Sequence, residues 1–164
     1  LATDVLRDKP AGFICTHEKM DALNYYSFQF STDAGANQRF SSSINAGGTW
    51  AIGGRILDGD ATTFISSAAG VIATATEYVL SAQINYAVGK TVTAWRDGVS
   101  VISGTLGGTA SNTSNTASAT ANFNGYNAGT ILKNGKTGRV VMLPSIPSDT
   151  DRAAIEAWVG ELTL

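Results

Sequence analysis

The sequence predicts an all-β fold: a two-sheet antiparallel sandwich closed by one C-terminal helix. Three observations predict it. About ten short apolar or alternating runs are separated by clusters of Gly, Asp, Asn and Ser. Asp97-Gly98 sits between two such runs, the strongest short-range hairpin signal in the chain. The helical period of apolar residues occurs convincingly in one place, near the end. Short strands at this spacing point to stacked sheets rather than to a parallel α/β arrangement.

Taken in order, residues 1–10 form an entry segment that pins one edge of a sheet, with Val5 and Leu6 among charges. Residues 12–19 are the first clear strand. After a turn at 21–24, residues 25–31 form a second, with Tyr26, Phe28 and Phe30 on one face by alternation. Residues 33–37 turn, and Phe40 and Ile44 share a face of the next strand. Ala46-Gly47-Gly48 marks a hairpin, and residues 49–56 return. Residues 57–60 turn into a short strand at 62–66, followed by a small-residue loop at 68–76. Tyr78, Leu80, Ala82 and Ile84 then line one side of a strand. Residues 91–96 and 99–103 flank the Asp97-Gly98 turn. Residues 104–118 are low-complexity Gly, Thr, Ser and Asn, an exposed loop. Asn112 begins a glycosylation-type triplet that carries little weight without a secretory context. A short strand at 119–123, a loop at 124–130, a run at 131–133 and a strand at 138–143 complete the sheets. No linker divides the chain, so residues 1–164 read as one domain.

The helix begins after Pro147. Ser148 is a good N-cap, Asp149 and Asp151 put negative charge in the first turn, and Ser148 to Asp151 has capping-box spacing. Ile155, Trp158, Val159 and Leu162 recur as one apolar stripe, which must be buried against the outside or edge of the β structure.

Composition narrows the function. Charged residues make up 15% of the chain, below the ~25% of ordinary domains, and the formal net charge is -2 without a basic cluster. Electrostatic binding to nucleic acid is excluded on that ground. No segment is apolar and long enough for membrane insertion as a helix. Cys15 is the one cysteine; alternating with Phe13 and His17, it reads as a small core hydrophobe. The chain begins at Leu1 and reads as a piece of something longer.

Catalytic chemistry finds little support. Glycoside hydrolysis needs two carboxyl groups facing across a cleft. The acids here lie mostly in turns and at the helix start, as Asp33, Asp58, Asp60, Asp97, Asp149 and Asp151 do. His17, the one histidine, lies inside a strand with no nucleophile motif anywhere. One His and one Cys do not make a zinc site, and the Gly-rich stretches lack a phosphate loop's Lys. No cofactor is required. Asp58 and Asp60 read as a turn, or alternatively as two oxygen ligands of a calcium ion, which needs several more. Glycan binding asks for aromatic faces beside amides and acids. Asn122, Asn124, Tyr126 and Asn127 offer that mixture around one loop; Trp95, beside Arg96 and the Asp97 turn, and Tyr25 are further candidates. Each ring also fits ordinary burial, and Trp50 and Trp158 read as core.

An ordered set of stretches carries a family likeness: residues 4–15, Phe28-Gln29-Phe30-Ser31-Thr32, Arg39-Phe40-Ser41-Ser42, Trp50 to Arg55 followed by Asp58, the 91–101 hairpin, and the 138–144 strand with the helix after it. Their order resembles the laminin-G-like, concanavalin A-like lectin/glucanase jelly rolls, especially those of bacteriophage and prophage structural proteins. The resemblance covers nearly the whole chain and implies a jelly-roll sandwich; some relatives bind calcium. It departs from the glucanases at their Glu-x-Asp-x-x-Glu strand, which is absent. What it implies is a non-catalytic carbohydrate- or receptor-binding module of a virion protein, such as a tail fibre or head appendage. The expected location is the virion or an extracellular surface, and the expected partner a cell-surface glycan or receptor. The alternative is an assembly module that contacts copies of itself or other virion proteins; a glycan hydrolase comes last.

Overall fold

The computed structural model describes residues 6, 9–31, 38–57, 59–87, 89–108, 120–123, 125–126, 131–132 and 134–164. Among the described residues are twelve strands and one helix: β1 (Ala11–Met20), β2 (Tyr25–Ser31), β3 (Gln38–Ile44), β4 (Trp50–Gly54), β5 (Thr63–Ser66), β6 (Glu77–Asn85), β7 (Thr91–Arg96), β8 (Val99–Thr105), β9 (Thr120–Phe123), β10 (Gly125–Tyr126), β11 (Ile131–Leu132), β12 (Gly135–Leu143) and α1 (Asp149–Gly160). One five-stranded sheet runs β12-β1-β6-β7-β8, a second runs β5-β4-β3-β2-β9, and β10 pairs with β11 as a ribbon beside β2. Every pairing is antiparallel. This is the expected jelly-roll sandwich with one C-terminal helix. No helix among the described residues is long and apolar enough to cross a membrane.

Alternation builds the core. Tyr78, Leu80, Ala82 and Ile84 point inward from β6, as expected, with Val92 and Ala94 of β7 and Ile102 of β8. The second sheet answers with Phe28, Phe30, Phe40, Ile44, Trp50 and Ile52. Phe28 meets Phe40 edge to face with centroids 5.0 Å apart, and Trp50 keeps its indole N–H satisfied on Ser42 Oγ at 2.8 Å. Asp97 and Gly98 both take positive φ, 51° and 79°, as a tight β7–β8 turn demands. Gly48 is forced for a second reason: a Cβ there would lie 2.1 Å from Ile72 O.

Two expectations fail, one at β2 and one at the helix. Tyr26 does not share a face with Phe28 and Phe30. The β2–β3 register steps from Tyr26–Ser43 to Phe28–Ser42, leaving Ser27 as an extra residue. The bulge turns Tyr25, Ser27, Phe28 and Phe30 inward and leaves Tyr26 on the outer face.

The second failure concerns α1. Ser148 caps it as expected, accepting from Asp151 N at 3.1 Å. The helix lies on the outer face of the first sheet, against β1, β6 and β12. Val159 and Ile155 cover Phe13 and Cys15 there. Trp158 and Leu162, however, are 48% and 45% exposed. The face turned to the sheet carries Arg152, Ile155, Glu156 and Val159, the same spacing rotated by part of a turn. That rotation is tolerable because the two side chains pair with each other and the Glu156 carboxylate gains a second donor. Arg152 Nη1 donates to both Glu156 oxygens at 2.8 Å, and Ser81 Oγ donates to Glu156 as well.

Candidate functional site

The outer face of the second sheet is where the polar chemistry gathers. The turn after β1 ends at Asn24, whose φ of 73° is one that Asn tolerates better than bulkier residues. Tyr25 then points inward and Tyr26 outward. Across the ladder Tyr26 pairs with Ser43 and Tyr25 with Ile44. Asn45 closes the β3–β4 hairpin, its Oδ1 accepting from Gly47 N at 2.9 Å and Thr49 N at 3.0 Å. Both bonds use the carbonyl, so the turn consumes an acceptor of that amide and none of its donors. Asn24, Tyr25, Tyr26, Ser43, Ile44 and Asn45 together line a pocket of about 190 Å³. A half-exposed phenol ring, a hydroxyl and two amides can meet a sugar's apolar face and its hydroxyls together.

The polar row continues across the sheet. Gln29 pairs with Ser41 on β3 and with Asn122 on β9. Gln29 and Ser41 are fully buried, and Ser41 Oγ has no hydrogen-bond partner among the described residues. Of the residues expected at a glycan site, Asn122 is thus on the strand beside β2, and Tyr126 is on β10, which also lies against β2. Asn124 and Asn127 lie outside the described residues.

Tyr25 lines the pocket only from its buried side, and Trp95 does not join it. Tyr25 is 3% exposed, and its hydroxyl donates to Glu18 Oε2 at 3.3 Å. Burial, then the Glu18 charge and that hydrogen bond, push the phenol well above its ordinary pKa, so it remains a donor. Trp95 sits on the opposite sheet, opposite Ser81, with the Arg152 guanidinium 4.4 Å above its ring. The helix has taken the face that a sugar would need.

Asp60 forms the expected turn, its Oδ2 accepting from Leu57 N at 3.0 Å. Asp58 lies outside the described residues, and no three His, Cys, Asp or Glu side chains gather as a metal group among those described. His17 approaches Glu77 at 3.5 Å, and Cys15 is buried beneath α1, its thiol pKa raised first by burial and then by Glu156. The other described acids are mostly engaged: Asp97 takes the Val79 N–H, Glu156 takes Arg152, and Glu161 takes Arg139.

The residues that the sequence did not single out are Asn24, Tyr26, Ser43 and Asn45. Asn45 carried a signal, standing just before Ala46-Gly47-Gly48. Tyr26 carried a misleading one, because simple alternation assigns it to the core with Phe28.

No family model matches the sequence, and no curated protein matches it. Solved structures do. The Ruminococcus gnavus IT-sialidase CBM40 bound to α2,3 sialyllactose superposes with a TM-score of 0.71 at 13% identity, covering 94% of this chain and 86% of that one. The NanB sialidase of Streptococcus pneumoniae gives 0.70 at 17% identity, covering 93% of this chain and 25% of that one. The heptameric SAP-like pentraxin of Limulus polyphemus gives 0.58 at 14% identity, covering 93% and 73%. The chain spans about a quarter of the NanB length, 25%. At these identities the likeness is one of fold: this chain is built as the lectin-like jelly-roll domains are.

Proposed function

We propose that this chain is a non-catalytic carbohydrate-binding module that holds its sugar at the Tyr26 pocket. The observation that carries the reading is the pocket's lining, an outward, partly buried tyrosine flanked by Asn24, Ser43 and Asn45. The fold supports it, because neighbours with this architecture include a sialidase module solved with α2,3 and with α2,6 sialyllactose. The engagement of the described carboxylates in turns, caps and ion pairs supports a role without catalysis.

A glycan array that includes both sialyllactoses tests the reading. Saturable retention of at least one glycan is expected. Tyr26→Ala abolishes it with the fold intact, and Trp95→Ala leaves it unchanged. Absence of retention on every glycan overturns the binding role, retention indifferent to Tyr26→Ala overturns the site, and release of reducing ends overturns the non-catalytic assignment.

The setting we propose is a virion surface, on a tail fibre or head appendage. Its support is the ordered sequence likeness alone, and flanking tail or capsid genes test it. Assembly is a second reading, favoured by Trp158 and Leu162, which α1 leaves exposed. A concentration-dependent oligomer in sedimentation equilibrium, lost in Trp158→Ser, would support assembly over glycan capture.

A further inference from the structure

We propose that Glu18 is a positioning residue for the pocket: from inside the sandwich its carboxylate holds the bulge at Ser27, and the bulge is what presents Tyr26 to the outer face. The inference rests on the reading of the Tyr26 pocket as the sugar site.

Glu18 is on β1, in the opposite sheet, and is fully buried. Its oxygens accept from Thr16 Oγ1 at 2.8 Å, from Tyr25 OH at 3.3 Å and from Ser27 Oγ. A buried carboxylate is costly unless donors surround it, so these hydroxyls are held inward. Two of them flank Tyr26 in the chain. Regular alternation from Tyr25 and Ser27 would send Phe28 and Phe30 outward, yet both belong to the core. The demands of the carboxylate and of the aromatic core are therefore one residue out of phase along β2. The extra residue at Ser27 reconciles them, and the register shift is found there. Without the carboxylate nothing holds Ser27 inward, and the demand of Phe28 and Phe30 outweighs that of the Tyr25 ring, which belongs to the same core. Unbroken alternation from Phe28 and Phe30 then places Tyr26 inward and Tyr25 outward. A one-residue slip of this kind moves every side chain ahead of it to the other face.

Tyrosine nitration with tetranitromethane, mapped by peptide mass, reads the two orientations without any sugar. In the wild-type protein Tyr26 is modified and Tyr25 is spared. In Glu18→Leu the preference inverts, and sialyllactose binding weakens about tenfold or more, the loss of one central aromatic contact. Glu18→Gln, which keeps an acceptor for Ser27 and Tyr25, retains the wild-type pattern; a merely space-filling role predicts the same retention for Glu18→Leu, whose side chain is of similar size, and is contradicted by the inversion. Should Glu18→Leu fail to fold, Ser27→Ala gives the same readout, with Tyr25 becoming more reactive. Wild-type nitration at Tyr25, or an unchanged pattern in both folded variants, overturns the proposal. Because nitration is independent of ligand, an inverted pattern with no sugar bound by any form would leave the positioning role standing and remove the glycan reading.

Discussion

Trp50 and Trp158 carry the same ring into opposite environments. Trp50 is enclosed among the aromatic and aliphatic side chains of the core, whereas Trp158 lies on the solvent side of α1 with Arg139 4.1 Å from its ring centroid. Arg139 is itself fixed, donating to Trp158 O and, at 2.9 Å, to Glu161 Oε2. An exposed cation–π contact is worth about 0.5–1 kcal/mol, so Trp158→Ala is expected to cost about 1 kcal/mol in a denaturant melt. A loss of ~3 kcal/mol or more, the range for an emptied core site, would contradict the exposed placement. Glu77 makes a pH-dependent tether. A hydrogen bond from the Leu164 backbone, with help from Lys19 and His17, holds its carboxyl below the ordinary 4.5. A depressed carboxylate contributes above its unfolded value and loses that contribution as pH falls through the folded one. The Leu164 amide resonance is therefore expected to titrate with a midpoint below 4.5, and a midpoint at or above it would remove the tether.

At the scale of the element, α1 shows how much a pattern says about existence and how little about orientation. Its start was legible because Ser148, Asp149 and Asp151 act through their own backbone neighbours. Its buried face was not, because Arg152 and Glu156 look like solvated residues until Ser81 and Trp95 are beneath them. The helix shields Cys15, so native protein is expected to resist a thiol reagent and to react fully in denaturant. Val159→Ala, which opens a gap directly over Phe13 and Cys15, is expected to speed native-state labelling several-fold while the sandwich stays folded. Labelling of the wild type at the rate of an exposed thiol would show that α1 is not docked. The β7–β8 hairpin needed no such help: Asp97-Gly98 prescribes its turn whatever lies around it.

At the scale of the molecule, both sheets contribute to one apolar layer, and Trp50 lies within it. Trp50→Ala is expected to cost ~3–5 kcal/mol and to leave unfolding as a single transition. Near-ultraviolet and far-ultraviolet signals should then coincide. Separate transitions would mean that the sheets are stabilised independently. This shared layer is also why the candidate site was only partly readable. Asn122, expected on a strand, and Tyr126, expected in a loop, both lie on strands that come to β2, but Trp95 is on the other sheet and under the helix.

By itself the sequence determined the strands, the tight turns, the capped helix and the sandwich they build. Those follow from period, turn chemistry and capping, all of which act within a few residues. Only the tertiary structure decided which tyrosine of Tyr25 and Tyr26 faces outward, and which side of α1 is buried. Both outcomes depend on a charged group satisfied across the fold, Glu18 reaching Ser27 from the facing sheet and Glu156 reaching Ser81 from the helix. Partners that distant in sequence leave no periodic trace in it, because period reports burial of apolar surface and not the position of a buried charge's donors.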